Sequence, residues 1–206
     1  MTENIKNYLT YVINLKERND KKEYIEKLFK KENINFKFYR PNKHLNPRRG
    51  CLESHLEIIK RGIKENKDSL LIFEDDVKFI KPIHNLNKFP SDWNMIYLGG
   101  TVHRVIDTNN KNYTRVQTWT THAYFINLKN KEFVDKILEM EKYEGEVDRY
   151  FLEKIHPKFK CYMSNPMIAI QKEDYSDIEG QEVNYNFMEY TLNGLRIPEH
   201  NIDENN

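Results

Sequence analysis

Ser69-Leu70-Leu71-Ile72-Phe73-Glu74-Asp75-Asp76 is the stretch on which the reading of this chain turns. Ser69 to Phe73 is the most hydrophobic run in the sequence, and three consecutive carboxylates stop it. A short apolar run bounded by polar residues reads as a strand buried on both faces. In open α/β sheets ligands gather beyond the carboxyl ends of the strands, where this triplet falls. Adjacent carboxylates repel one another, and the repulsion is relieved by solvent or by a cation. A divalent ion held by one or two carboxylates together with substrate phosphates is a common solution. A solvated acidic turn is the plainer alternative, and the triplet alone leaves both open.

Strand and helix patterns alternate on either side of this run. Tyr8 to Leu15 is β-branched and aromatic and reads as a largely buried strand. In the following helix, Asp20 to Lys31, Tyr24, Ile25, Leu28 and Phe29 recur at helical spacing, with Asp20 as N-cap. Phe36 to Tyr39 is a short strand ended by Pro41. A second helix opens at about Gly50, with Leu52, Leu56, Ile59 and Ile63 as its apolar stripe. Downstream, Met95 to Leu98, Ala123 to Ile126 and Phe159 to Met163 read as strands. Helices around Phe133 to Leu138 and Val147 to Ile155 lie between the last two of these. This order predicts an α/β fold with a mainly parallel central sheet flanked by helices. Without a Pro/Gly/Ser linker or a repeat, residues 1–193 are expected to form a single domain, followed by a polar tail over 194–206.

The chain has 206 residues, 38% hydrophobic and 32% charged, enough for one ordinary domain core. With 33 Lys and Arg against 32 Asp and Glu the formal charge is +1. No basic excess marks nucleic acid or an anionic membrane as the main partner. The polar start, Met1 to Asn7, lacks the character of a signal peptide, and no apolar stretch approaches the roughly 20 residues of a membrane span. The expectation is a cytoplasmic protein without a transmembrane segment, its peripheral membrane association left open. Cys51 and Cys161 are far apart and read as free thiols. Nothing in the sequence sets the oligomeric state.

Several ordered segments resemble glycosyltransferase family 25, which contains lipooligosaccharide and collagen hydroxylysine galactosyltransferases. Val12-Ile13-Asn14-Leu15 with Arg18 is similar to the family's opening strand and its basic residue. Gly50-Cys51-Leu52-Glu53-Ser54-His55 resembles its Gly-Cys-x-x-Ser-His turn, and Leu71 to Val77 its acidic strand end. Trp93 to Gly99, Thr121 to Ile126, Val147-Asp148 and the segment from Pro166 to Ile178 continue the series in order. The likeness spans about residues 8–180. It implies a GT-A-type nucleotide-sugar-binding fold, a UDP-sugar donor, and Mn²⁺ (or Mg²⁺). The stretch between Thr101 and Thr118 is hydrophilic, departs from the family pattern, and is a candidate acceptor loop.

The resemblance assigns candidate roles. Glu74 and Asp76, on one face of an extended segment, would be the metal ligands, and Asp75 would contact the ribose or the metal. Ile13, Asn14 and Leu15 end the first strand, where backbone groups would meet the uracil. Arg18 would pair with a phosphate through its planar fork, or else join the neighbouring Glu17 and Asp20 in a surface ion pair. Gly50 permits close backbone approach beside a helix start that favours an anion, or is an ordinary turn glycine. His55, at the margin of the apolar stripe, belongs to the site by resemblance alone. Inverting transfer needs a base for the acceptor hydroxyl, and Asp148, with Glu146 second, is the candidate. A helix-capping role for Asp148 is the plainer alternative. Gln171, Asp174 and Ser176 are candidates for lining the donor or acceptor side.

The expected activity is therefore metal-dependent transfer of a hexose, galactose or glucose, from a UDP-hexose to a hydroxyl of a glycan or hydroxylated protein, with inversion. A non-catalytic sugar-nucleotide or glycan-binding module is the alternative. A metal-dependent phosphoesterase is a more distant one, since two-metal sites draw ligands from several segments.

Overall fold

The computed structural model describes residues 2–107 and 110–184. The expected tail over 194–206 lies outside the described residues. In chain order the elements are β1 (Leu9–Ile13), α1 (Asn19–Lys31), β2 (Lys37–Tyr39), α2 (Pro47–Lys64), β3 (Ser69–Glu74), β4 (Val77–Phe79) and β5 (Met95–Tyr97). There follow β6 (Thr101–Asp107), β7 (Tyr113–Trp119), β8 (Ala123–Asn127), α3 (Lys131–Leu138) and α4 (Val147–Tyr150), which runs on into a π-helical turn over Phe151–Ile155. The chain then forms β9 (Cys161–Ser164), β10 (Ala169–Gln171), β11 (Asp174–Ser176) and β12 (Gln181–Val183).

Eight strands make one sheet in the order β2-β1-β3-β8-β5-β9-β7-β6. β1 is parallel to β2 and β3, and β5 to β9, whereas the pairs β3–β8, β5–β8, β7–β9 and β6–β7 are antiparallel. Only β7 and β8 therefore run against the common direction, which is the mainly parallel sheet the alternating pattern predicted. The β6–β7 pairing slips between Val102 and Arg104 and again between Val105 and Asp107. The hydrophilic stretch expected as an acceptor loop thus forms the edge strand β6 and most of its inner neighbour β7, a correction to its being a loop. β6 is exposed along most of its length, and the alternating burial of β7 falls partly on polar Thr114 and Thr118, which explains why the stretch did not read as sheet.

Helices cover both faces. Leu70 and Ile72 of β3 point into a core with Leu52, Leu56 and Ile59 of α2, Phe133 and Ile137 of α3, and Tyr150 and Phe151. Leu71 and Phe73 point the other way, toward Ile25 and Phe29 of α1. Burial of alternate side chains on opposite faces is why β3 is continuously apolar. α2 lies close on the sheet at Gly62, where a Cβ would stand 2.6 Å from Leu70 Cδ1. Any side chain there would have to displace the ends of Leu70 and Leu128 or move the helix outward.

Two helix starts differ from expectation. α2 begins at Pro47, with Asn46 Oδ1 accepting from the Arg49 N–H at 3.2 Å, so Gly50 sits inside the first turn. α1 begins at Asn19 without a side-chain cap, and Asp20 instead accepts hydrogen bonds from the Arg18 guanidinium. An arginine fork offers an aspartate two charge-assisted bonds, which outcompete a single cap bond.

Candidate functional site

Parallel pairing sets Ile13 opposite Glu74, so β1 and β3 end together and their following residues share one edge of the sheet. β8 enters the sheet from that same edge, with Ala123 opposite Phe73. The loops at this edge enclose a cavity of about 220 Å³. Among its walls are Ile13, Leu15, Gly50, Glu74, Asp75, Asp76, Glu146 and Asp148, eight of the residues singled out from sequence. Asn14, Arg18 and His55 stand behind the wall and hold it.

Asn14 is fully buried. Its Nδ2 donates to Asp75 Oδ2 at 2.8 Å and to the Arg18 carbonyl at 2.9 Å, while its Oδ1 accepts from Arg40 Nε at 3.0 Å. Lys21 Nζ lies 3.6 Å from Asp75 Oδ1. Burial raises the Asp75 pKa, and Lys21 and Asn14 oppose that rise.

Glu74 Oε1 accepts from Thr121 Oγ1 at 2.7 Å and lies 3.2 Å from His55 Nε2. Burial pushes its pKa up, but the His55 and Thr121 contacts outweigh this and hold it below the ordinary value. His55 is itself fully buried, its Nδ1 2.9 Å from the Tyr124 hydroxyl. The stripe margin expected for His55 is in fact the interior, because β3 and β8 both lie against that side of α2. Cys51 Sγ, a ring nitrogen of His55 and a carboxylate oxygen of Glu74 fall within 4.8 Å of one another. Both cysteines are free thiols, as expected.

Asp76 takes different partners. Gln171 Nε2 donates to its Oδ2 at 3.3 Å, across the β4–β10 pairing that sets Gln171 opposite Val77. Burial, then the charges of Glu74 and Asp75, push its pKa up to about 7 against the pull of Lys21 and Gln171. Asp76 Oδ1 and Gln171 Oε1 are buried and without a hydrogen-bond partner among the described residues. Two unpartnered oxygens, one from a carboxylate and one from an amide, suit a hard divalent cation such as Mn²⁺ or Mg²⁺. Glu74 Oε1, already engaged twice, suits it less.

Asp148, which lines the same cavity, is the second residue of α4. Its Oδ1 accepts from the Arg149 N–H at 2.8 Å and its Oδ2 lies 3.4 Å from the Thr120 nitrogen. Burial raises its pKa against these two N–H groups, and the charges of Glu146 and Glu74 add to the rise. Glu146 is paired with Arg48 at 2.8 Å. Thr120 has φ +73°, a left-handed backbone that β-branched residues avoid, and its buried Oγ1 has no partner among the described residues. Gly50 lies close to the preceding loop, with a Cβ there 2.7 Å from His44 Cβ. Its close approach is therefore to His44.

Sequence reasoning missed Lys21, Thr120 and Arg40. Lys21 follows Arg18 by three residues, a spacing that puts both on one side of a helix start. Thr120 and Arg40 carry no local signal, since one depends on a strained turn and the other on a partner 26 residues away.

The family model described as Glycosyltransferase family 25 (LPS biosynthesis protein) matches residues 44–168. A comparison with curated proteins finds no significant match. Among solved structures, a glycosyltransferase involved in glycosylation of the major capsid of PBCV-1 is 12% identical, covering 75% of this chain and 80% of that one with a TM-score of 0.48. A Drosophila beta-1,4-galactosyltransferase 7 variant in complex with manganese, UDP-Gal and xylobiose is 7% identical, covering 94% and 77%, with a TM-score of 0.46. The family match takes in Gly50 to His55, the acidic end of β3 and Asp148, and extends over more than half of the sequence. The chain accordingly belongs to glycosyltransferase family 25 and is a glycosyltransferase, with the α/β architecture expected of it.

Proposed function

We propose that this chain transfers a hexose, galactose or glucose, from a UDP-sugar to a hydroxyl of a glycan or protein, with inversion and with Mn²⁺ or Mg²⁺ as cofactor. The observation that carries the reading is the sharing of one cavity by Asp76, with its unpartnered buried oxygen, and Asp148. Asp76 Oδ1, joined by Gln171 Oε1, would hold the ion, and Glu74 would lie behind it as the residue that fixes His55 and Thr121. When bound, such an ion neutralises charge on a diphosphate leaving group. Asp75, fixed by Asn14 and Lys21, is oriented to accept from a ribose hydroxyl. Asp148 is the base: its Oδ2 has only a long contact to the Thr120 N–H and faces the cavity, where it would take the proton of the attacking hydroxyl. Glu146 is tied to Arg48 and is the weaker candidate.

The test is release of UDP from a panel of UDP-sugars with Mn²⁺. UDP-galactose or UDP-glucose should be consumed, and EDTA should stop the reaction. Asp76→Ala with undiminished turnover would sink the metal assignment. Tight UDP binding with neither transfer nor donor hydrolysis would favour a binding module instead.

A further inference from the structure

Two cations, Lys43 in the cavity wall and Arg18 behind it, already hold an anion. Arg18 follows β1 and Lys43 follows β2, and since these strands are parallel neighbours their trailing loops emerge side by side. Arg18 Nη1 donates to Asp177 Oδ2 at 2.5 Å and Lys43 Nζ to Asp177 Oδ1 at 2.9 Å. One carboxylate thus bridges two cations from separate segments. Arg40 braces this corner by donating to the Lys16 carbonyl at 2.7 Å and to Asn19 Oδ1 at 2.9 Å.

Asp177 sits in the turn between β11 and β12. Gly180, at φ +68°, lets this turn close with its N–H on the Ser176 carbonyl at 2.8 Å. Ser176, Asp177, Ile178 and Glu179 line the same cavity as Asp76 and Asp148. A second and looser tie joins Glu179 to Arg48 at 3.9 Å. Among the described residues the hairpin's strands pair with each other alone, through Asp174–Val183 to Ser176–Gln181, so these charged contacts are prominent in holding it at the cleft.

We propose that Arg18 and Lys43 form a phosphate subsite for the diphosphate of the donor, with the Asp177 carboxylate as a placeholder that the diphosphate displaces. The choice of a donor diphosphate rests on the function proposed above; the anion subsite itself does not. A diphosphate brings more charge and more acceptor oxygens to the arginine fork than one carboxylate does. The Lys43–Asp177 pair is half exposed on the lysine side and so weak. The more enclosed Arg18–Asp177 pair exchanges only for a ligand that restores its charge-assisted bonds, as a diphosphate does. Displacement frees the hairpin turn, so donor binding and hairpin position become linked.

Calorimetric titration of the full chain with UDP, inorganic pyrophosphate and uridine, at fixed Mg²⁺, tests this. Asp177→Asn should tighten UDP and pyrophosphate by about three- to fivefold, the value of one removed competitor. Arg18→Gln should weaken both by about tenfold or more, the value of a charge-assisted bond. Lys43→Met should act in the same direction as Arg18→Gln, and uridine should respond to none of the three. If Asp177→Asn leaves UDP and pyrophosphate unchanged or weaker, Asp177 is a hairpin anchor and the placeholder is overturned. Failure of the unmodified chain to bind either phosphate ligand overturns the subsite as well. Binding of pyrophosphate but not UDP, with the gain in Asp177→Asn intact, supports the subsite and removes the UDP-donor reading.

Discussion

Asn14 Nδ2 and Asp75 Oδ2 are 2.8 Å apart, a bond that ties the end of β1 to the acidic turn after β3. Asn14 is saturated, since it also donates to the Arg18 carbonyl and accepts from Arg40. Asn14→Ala would leave Arg40 Nε and the buried side of Asp75 without their partner. We expect a loss of about 2–3 kcal/mol in urea denaturation, the cost of stranding buried polar groups. Weaker UDP binding should accompany it, because Asp75 loses its fixed orientation. A loss below about 0.5 kcal/mol would mean that water replaces the amide.

Asp148→Asn should lower UDP release in the presence of acceptor by about 10²- to 10⁴-fold, the usual contribution of a positioned base. UDP affinity should stay unchanged. Burial raises the Asp148 pKa, so the active, ionised form is lost at a higher pH than for an ordinary aspartate. The acid limb of the pH–rate profile should therefore lie above the ordinary carboxylate range, and the variant should lack it. Full turnover in Asp148→Asn would move the base elsewhere.

Thr120→Gly should stabilise the fold while impairing the reaction. Left-handed backbone at a non-glycine residue costs about 1–3 kcal/mol, and glycine's extra chain entropy returns about 0.5–1 kcal/mol of that. A net gain of about 1 kcal/mol, read by thermal denaturation, is the expected outcome. Turnover should fall because the Thr120 N–H no longer has a rigid turn to hold it toward Asp148. A less stable variant would show that the φ of +73° is not strained.

His156 is buried against the Tyr97 hydroxyl at 2.9 Å, and burial, with a smaller push from His103, lowers its pKa from 6.5 to about 3. The unfolded chain therefore binds a proton between these values that the folded chain refuses. Stability should fall as pH drops from 6.5 toward about 3, by up to about 1.4 kcal/mol per pH unit from this group. Replacing it, as in His156→Gln, should flatten that slope in denaturation curves, even if the variant is less stable at neutral pH. An unchanged slope would assign the acid sensitivity to other groups.

The parts of the fold legible in the sequence were those with a strong period. β3 stood out because both its faces are buried, and α2 because Leu52, Leu56 and Ile59 recur on one side. β4, β10, β11 and β12 are three residues each, too short to carry a pattern. The acidic triplet pointed to residues that line the cavity, yet their separate hydrogen-bond partners were hidden. Glu74 turns to His55 and Thr121, Asp75 to Asn14 and Lys21, and Asp76 to Gln171. Those partners lie between 19 and 95 residues away for His55 and Gln171, so only the folded sheet brings them to their acids.

The two ends of the sheet have a consequence of their own. An edge strand with free backbone groups invites another chain to continue the ladder. Here one end is β2, three residues long with exposed Lys37, and the other is β6, whose register slips twice against β7. The first is too short and the second, though seven residues long, too irregular to be a flat template, so stacking of one molecule on the next through backbone pairing is disfavoured at both borders. A cleft-bearing sheet of this width can thus remain available at high concentration without recruiting its own copies into fibrils.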